Sequence, residues 1–179
     1  MPDEILIREL TRGDRRAVAF SFRRLGDRSR SNRFLGNTRE LSARELDRLT
    51  EVDHWHHEAL IAFSPVPRSP IGVAEYVRLE AFDEAELAIA VVDAWQRLGI
   101  GRELIRTLQQ RALATGIRRF VASTRRGNRG ALALAHELGS ARRAGGYGDV
   151  IELRIELSTR WRSHSLTAPV TASRSLVKL

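Results

Sequence analysis

Residues 91–104, VVDAWQRLGIGREL, begin as an apolar strand, pass through a short loop with two glycines and end as an amphipathic helix. Gly99 and Gly101 let the backbone turn sharply and approach a ligand with no Cβ in the way. The helix that follows leaves its first N–H groups unpaired and carries partial positive charge at that end, so the favoured occupant of the loop is an anion, most commonly a phosphate. Arg97 and Arg102 flank the turn, and either guanidinium can add charge-assisted hydrogen bonds to the same oxygens. Taken alone, the two glycines suit an ordinary, tightly packed strand-to-helix connection equally well.

The chain has 179 residues, enough for one domain with a sizeable core and no covalent staples. It has no cysteine, which excludes a disulfide scaffold, a thiolate metal site and a cysteine nucleophile, and suits a reducing cytosol. The opening MPDEILIREL carries acids where a secretory signal has a basic stretch, and no apolar run approaches membrane-spanning length. The expectation is a soluble, cytoplasmic protein with no membrane partner. A net charge of +8 invites a nucleic-acid reading. Nearly all of it is arginine, with Lys178 the only lysine, and neither an aromatic-interleaved basic strand nor a zinc spacing accompanies it, so nucleic acid is set aside as a partner.

Outward from the turn the elements alternate in type. EILIREL (4–10) reads as a strand, and TRGDRRAVAFSFRRLG (11–26) as a helix capped near Thr11 or Asp14 and followed by a polar, basic loop. LSARELDRLT (41–50) is a short helix in which Ser42 and Glu45 have capping-box spacing. EALIAFS (58–64), IGVAEYVRLE (71–80) and EAELAIAVV (84–92) read as successive strands of an antiparallel meander. GRELIRTLQQRALATG (101–116) is a helix, RRFVAST (118–124) a buried strand, NRGALALAHELG (128–139) a helix ending at Gly139, and DVIELRIEL (149–157) a last strand. The fold class is α/β, a mixed sheet with helices packed on it. Composition shifts toward Ser, Thr and Arg from residue 160, which places the domain at residues 1–159 and a tail, expected to be mobile, at 160–179.

QRLGIG, with Gln96, Gly99 and Gly101 between a strand and an amphipathic helix, resembles the acetyl-CoA signature of the GNAT superfamily of N-acetyltransferases. NRGALALAHELGS, running from Asn128 through Gly139 after a strand, is similar to the second motif of that family. LTEVDHWHHEALIAF, GVAEYVR and EAELAIAVVDAWQRLGIG further resemble the acetyltransferase domains of bacterial Pat-type protein lysine acetyltransferases, and the likeness covers about residues 29 to 157.

The resemblance implies a GNAT fold: a mostly antiparallel sheet of six to seven strands, helices on both faces and a central strand pair that splays apart. It implies acetyl-CoA as cosubstrate and no metal. The pantetheine arm then pairs with backbone near Val91 and Val92, and the pyrophosphate rests on the amides of Arg97, Leu98, Gly99, Ile100, Gly101 and Arg102. Asn128 meets the cofactor from the second helix start, although by itself it reads equally as an N-cap. Acetyl transfer to an amine needs a neutral nucleophile, so a base must take its proton. Glu86 interrupts an apolar strand and matches the Pat-type glutamate; Glu84 and Glu75 are lesser candidates. The implied reaction is direct attack in a ternary complex, with a protein lysine as acceptor and a small amine such as an aminoglycoside or polyamine as the alternative. A non-catalytic acyl-CoA sensor is the reading from a different class, and a homodimer is left open.

Two departures stand out. Ala135 occupies the place of a tyrosine that protonates the leaving thiolate in many members, and Ser140 replaces a common aromatic. DHWHH, with Asp53, His54, His56 and His57, has the residue types of a metal site but not the spacing of one helical face.

Overall fold

The computed structural model describes residues 4–35, 39–65 and 67–159. Its seven strands are β1 (Leu6–Glu9), β2 (His57–Phe63), β3 (Pro70–Arg78), β4 (Glu84–Val91), β5 (Arg119–Arg125), β6 (Gly139–Tyr147) and β7 (Val150–Leu157). They form one sheet in the order β1-β2-β3-β4-β5-β7-β6. Every neighbouring pair is antiparallel except β4 and β5, which run parallel. The helices are α1 (Arg15–Arg23), α2 (Asp27–Phe34), α3 (Ala43–Thr50), α4 (Ile100–Ala114) and α5 (Arg129–Leu138).

Strand alternation splits the core into two layers. On β2, Leu60 and Ala62 join the larger cluster with Leu104, Ile105 and Leu108 of α4 and Leu138 of α5. Ala59 and Ile61 face the other way, into a smaller cluster with Leu10, Val18 of α1 and Leu49 of α3. The apolar residues of α4 recur at 100, 104, 105, 108 and 112, the stripe of a helix lying on a sheet. Ser42 and Glu45 form the capping box their spacing predicts, with Glu45 N–H donating to Ser42 Oγ at 3.2 Å and Ser42 N–H to Glu45 Oε2 at 2.7 Å.

The structure departs from the sequence reading at three places. Residues 27–34 are helical where a loop is expected. Only Phe34 among them is apolar, so α2 has no periodic stripe to announce it. Residues 139–147 form β6, an edge strand whose GSARRAGGY lacks alternation and strong strand formers and is recruited by the open edge of β7. Gly139 is required at its start, because a Cβ there would fall on the carbonyl oxygen of Glu156. Helix α4 also begins earlier, at Ile100, with Gly99 as its N-cap. Among the described residues no helix is long and apolar enough to cross a membrane. The tail expected at 160–179 lies outside the described residues.

Candidate active site

The parallel pairing of β4 with β5 lasts three residues, Glu84, Ala85 and Glu86 against Arg119, Phe120 and Val121. Beyond that point β4 continues to Val91 along β3, and β5 continues to Arg125 along β7. A wedge therefore opens between them, with Glu86 at its vertex and the glycine turn at the far end of β4. The five residues from Glu86 to Val91 span about 17 Å of strand.

The turn is held from within. Gln96 Nε2 donates to the Val91 carbonyl at 2.9 Å and to Ser29 Oγ on α2 at 3.0 Å. Arg97 and Gly99 both adopt left-handed backbone, with φ of 62° and 85°. Leu98 is exposed at 62%. The amides at the start of α4 follow directly, in the geometry that favours an anion. Arg102 sends its guanidinium to Glu137 of α5, at 2.6 and 2.5 Å, so of the two flanking arginines only Arg97 has no side-chain partner among the described residues. Val92 is buried, and its N–H donates to the Ile71 carbonyl of β3. Asn128 caps α5: its Oδ1 accepts from Ala131 N–H at 3.2 Å, and its Nδ2 donates to Thr124 Oγ1 at 3.2 Å. Ala135 is buried in the core face of α5.

The three glutamates have distinct environments. Glu84 is buried and bound by Arg119 at 2.7 Å and by Arg154 at 3.3 Å. Glu75 is buried between Arg33 of α2 and His57, whose Nε2 lies 2.8 Å from its carboxylate. Burial works to raise the Glu75 pKa, but the His57 hydrogen bond and the Arg33 charge outweigh it and hold the carboxyl below its ordinary range. Glu86 is exposed and forms no ion pair or side-chain hydrogen bond among the described residues. It alone offers a free carboxylate. Directly beside it in the sheet stand Val77 of β3 and Val121 of β5.

Sequence reasoning missed the part played by α2, because the partners of its polar side chains are distant in the chain. Ser29 joins the turn through Gln96, Ser31 accepts from Arg125 of β5 at 2.9 Å, and Arg33 pairs with Glu75 of β3. The helix thus bridges both walls of the wedge. The motif RSRSNRF is the only local trace of it, and nothing in that motif specifies these partners.

The DHWHH side chains divide among different partners, and only His56 stays with Asp53, its Nδ1 lying 3.1 Å from Asp53 Oδ2. Asp53 Oδ1 accepts the N–H groups of Trp55, His56 and His57. Those backbone bonds, from His57 foremost, hold its carboxyl far below the ordinary range. His54 turns to Glu58 at 2.9 Å, and His57 to Glu75. No group of three metal-ligating side chains comes together among the described residues.

Comparisons with known proteins agree with this geometry. The chain is 29% identical over 137 residues to an acetyltransferase of Pseudomonas aeruginosa, covering 75% of this chain and 74% of that one. The crystal structure of the GNAT domain of S. lividans PAT superposes with a TM-score of 0.77 at 27% identity, covering 84% of this chain and 89% of that one. A spermidine N-acetyltransferase from Vibrio cholerae, solved with CoA and spermine, shares the fold with a TM-score of 0.66 at 20% identity, covering 86% of this chain and 96% of that one. The acetyltransferase (GNAT) family model matches residues 30–139, a span that holds the wedge, the glycine turn and Asn128, and the chain belongs to that family.

Proposed function

We propose that the protein is an acetyl-CoA-dependent N-acetyltransferase in which Glu86 takes the proton of the acceptor amine. The observation that supports this most is the position of Glu86: the last residue of β4 paired to β5, it stands where the wedge opens, with its carboxylate uncommitted. In this reading the amides from Arg97 to Arg102 receive the pyrophosphate and the edge of β4 near Val91 and Val92 receives the pantetheine arm, which leads the thioester toward Glu86. Asn128 borders the same end of the wedge.

The chemistry asks little more of the chain. An ammonium has no lone pair, so the acceptor must lose a proton to Glu86, directly or through water, before nitrogen attacks the thioester carbon. The C–N bond then forms, the C–S bond breaks, the sulfur keeps the electron pair, and the nitrogen sheds its second proton to the thiolate or to water, which leaves a neutral amide and coenzyme A. With Ala135 in place of a tyrosine, no hydroxyl stands at that position to protonate the sulfur. The acceptor we favour is a protein lysine, on the strength of the likeness to Pat-type domains. A small polyamine is the second reading, suggested by the spermidine enzyme among the structural neighbours.

Glu86→Gln keeps the shape and removes the basicity. Turnover of a lysine peptide should fall by roughly 10²-fold, with acetyl-CoA affinity near that of the unaltered protein and a flattened acidic limb in the pH profile. An unchanged rate with an unchanged limb would remove Glu86 from the mechanism.

A further inference from the structure

We propose that the donor site takes a butyryl group as well as an acetyl group, with the added carbons seated in an apolar cleft between the sheet and helices α1 and α2; the inference rests on the acetyl-transfer reading above. In that reading the thioester lies between the pantetheine arm, at Val91 and Val92, and the carboxylate of Glu86, which puts the acyl group beside Ala88 and Ala90 of β4. An acyl chain longer than acetyl must leave the wedge there by one face of the sheet or the other.

Strand alternation makes the two faces unequal. Leu87, Ile89 and Val91 point toward α4, where Leu87 is buried and the other two pack against the larger core cluster. That face is filled: a Cβ added at Gly101 of α4 would already sit 3.6 Å from Ile89. Ala88 and Ala90 point the other way, with Glu86, and both are half-buried. Ala90 pairs with Val73 of β3, and these two side chains floor a cleft roofed by Phe22 of α1 and Phe34 of α2, whose rings meet edge to face 5.2 Å apart. Past Glu86, β4 has no partner on its β5 side, so Ala90 borders both the wedge and the cleft.

The lining fixes the chemical class of the occupant. Its two polar side chains are already satisfied: Ser21 Oγ donates to the Val18 carbonyl at 2.9 Å, and Arg33 is paired with Glu75. Neither is left to meet a carboxylate or hydroxyl on the chain, so the occupant that fits is plain hydrocarbon, which gains by leaving water. The cleft has room for about two water-sized groups, which matches the two carbons by which butyryl exceeds acetyl. The step balances with butyryl-CoA as donor. The acceptor ammonium gives one proton to Glu86, the neutral nitrogen attacks the thioester carbon, and the C–N bond forms as the C–S bond breaks. The sulfur keeps the electron pair, the nitrogen sheds its second proton to the thiolate or to water, and the products are an N-butyryl amide and coenzyme A.

Amide formation on a lysine peptide and on spermidine, followed by mass spectrometry with the full-length protein, should give butyryl-CoA a kcat/KM within about tenfold of that for acetyl-CoA. Hexanoyl-CoA, whose chain outruns the cleft, should fall about tenfold or more behind butyryl-CoA. Val73→Phe fills the cleft from β3 without altering β4, and should lower the butyryl-to-acetyl ratio of kcat/KM by about tenfold or more. Phe34→Ala widens the cleft from α2, and should raise the hexanoyl-to-acetyl ratio by about threefold or more. A ratio taken within one variant cancels any general loss of activity or stability. Butyryl-CoA further below acetyl-CoA than stated, hexanoyl-CoA level with butyryl-CoA, or a ratio unmoved in either folded variant each overturns the proposal. Acetyl transfer itself survives each of those results; if no acyl-CoA is turned over with either amine, both readings fall together.

Discussion

Gly99 and Gly101 look alike in the sequence and are glycine for different reasons. Gly99 holds a left-handed φ of 85° at the N-cap of α4, a conformation in which a β-branched residue is strained by about 1–3 kcal/mol. Gly101 is already helical, and a Cβ there would sit 3.4 Å from Leu134 and 3.6 Å from Ile89, so its role is close packing of α4 on α5 and β4. Only the first shapes the turn whose amides we propose receive the pyrophosphate. Gly99→Val should weaken acetyl-CoA binding more than tenfold, above ~1.4 kcal/mol, in a protein whose circular dichroism still shows the native fold. Undiminished affinity in that folded variant would move the pyrophosphate elsewhere.

At the scale of elements, α2 is held by polar anchors rather than by an apolar stripe. The strongest is the buried contact of Arg33 with Glu75, shared by His57. Removing one partner of such a contact leaves an uncompensated buried charge, at a cost of about 3 kcal/mol or more. Glu75→Gln should therefore lower the denaturation midpoint and loosen α2, seen as faster amide exchange across residues 27–34. The pH dependence gives a second reading of the same contact. The Glu75 pKa is depressed in the folded state, so its stabilisation is complete above the ordinary carboxylate range and is lost as pH falls through the folded value. The unaltered protein should lose that stability on acidification below about pH 4.5, and Glu75→Gln should show a shallower decline. Equal slopes for the two proteins would mean that Glu75 is not ionised against Arg33.

For the whole molecule, both core clusters and the complete sheet lie within the described residues up to 159. The root of the C-terminal segment is fastened by Gln109, whose Nε2 donates to the carbonyls of Leu138 and Ser158 at 2.8 Å each. A chain ending at residue 159 should keep these bonds. It should unfold cooperatively within a few degrees of the full-length midpoint and bind acetyl-CoA with unchanged affinity. Loss of cooperative unfolding on truncation would make residues 160–179 part of the domain.

Glu86 is set ahead of Glu84 and Glu75 by the family resemblance, whereas the glycine turn, the meander of β2 to β4 and the helices α1, α3, α4 and α5 are legible in the residues themselves. Those features are carried by periodicity, caps and spacing within a dozen or so neighbouring residues, where local sterics and backbone hydrogen bonding decide the outcome. Only the tertiary structure separated the three glutamates, since Arg154 reaches Glu84 from 70 positions away and Arg33 reaches Glu75 from 42. The same holds for α2 and β6, whose residues carry no amphipathic pattern of their own. They take their form from Gln96, Arg125 and Glu75 in one case and from the open edge of β7 in the other. Which carboxylate is free, and where the wedge opens, are properties of long-range pairing that no local stretch encodes.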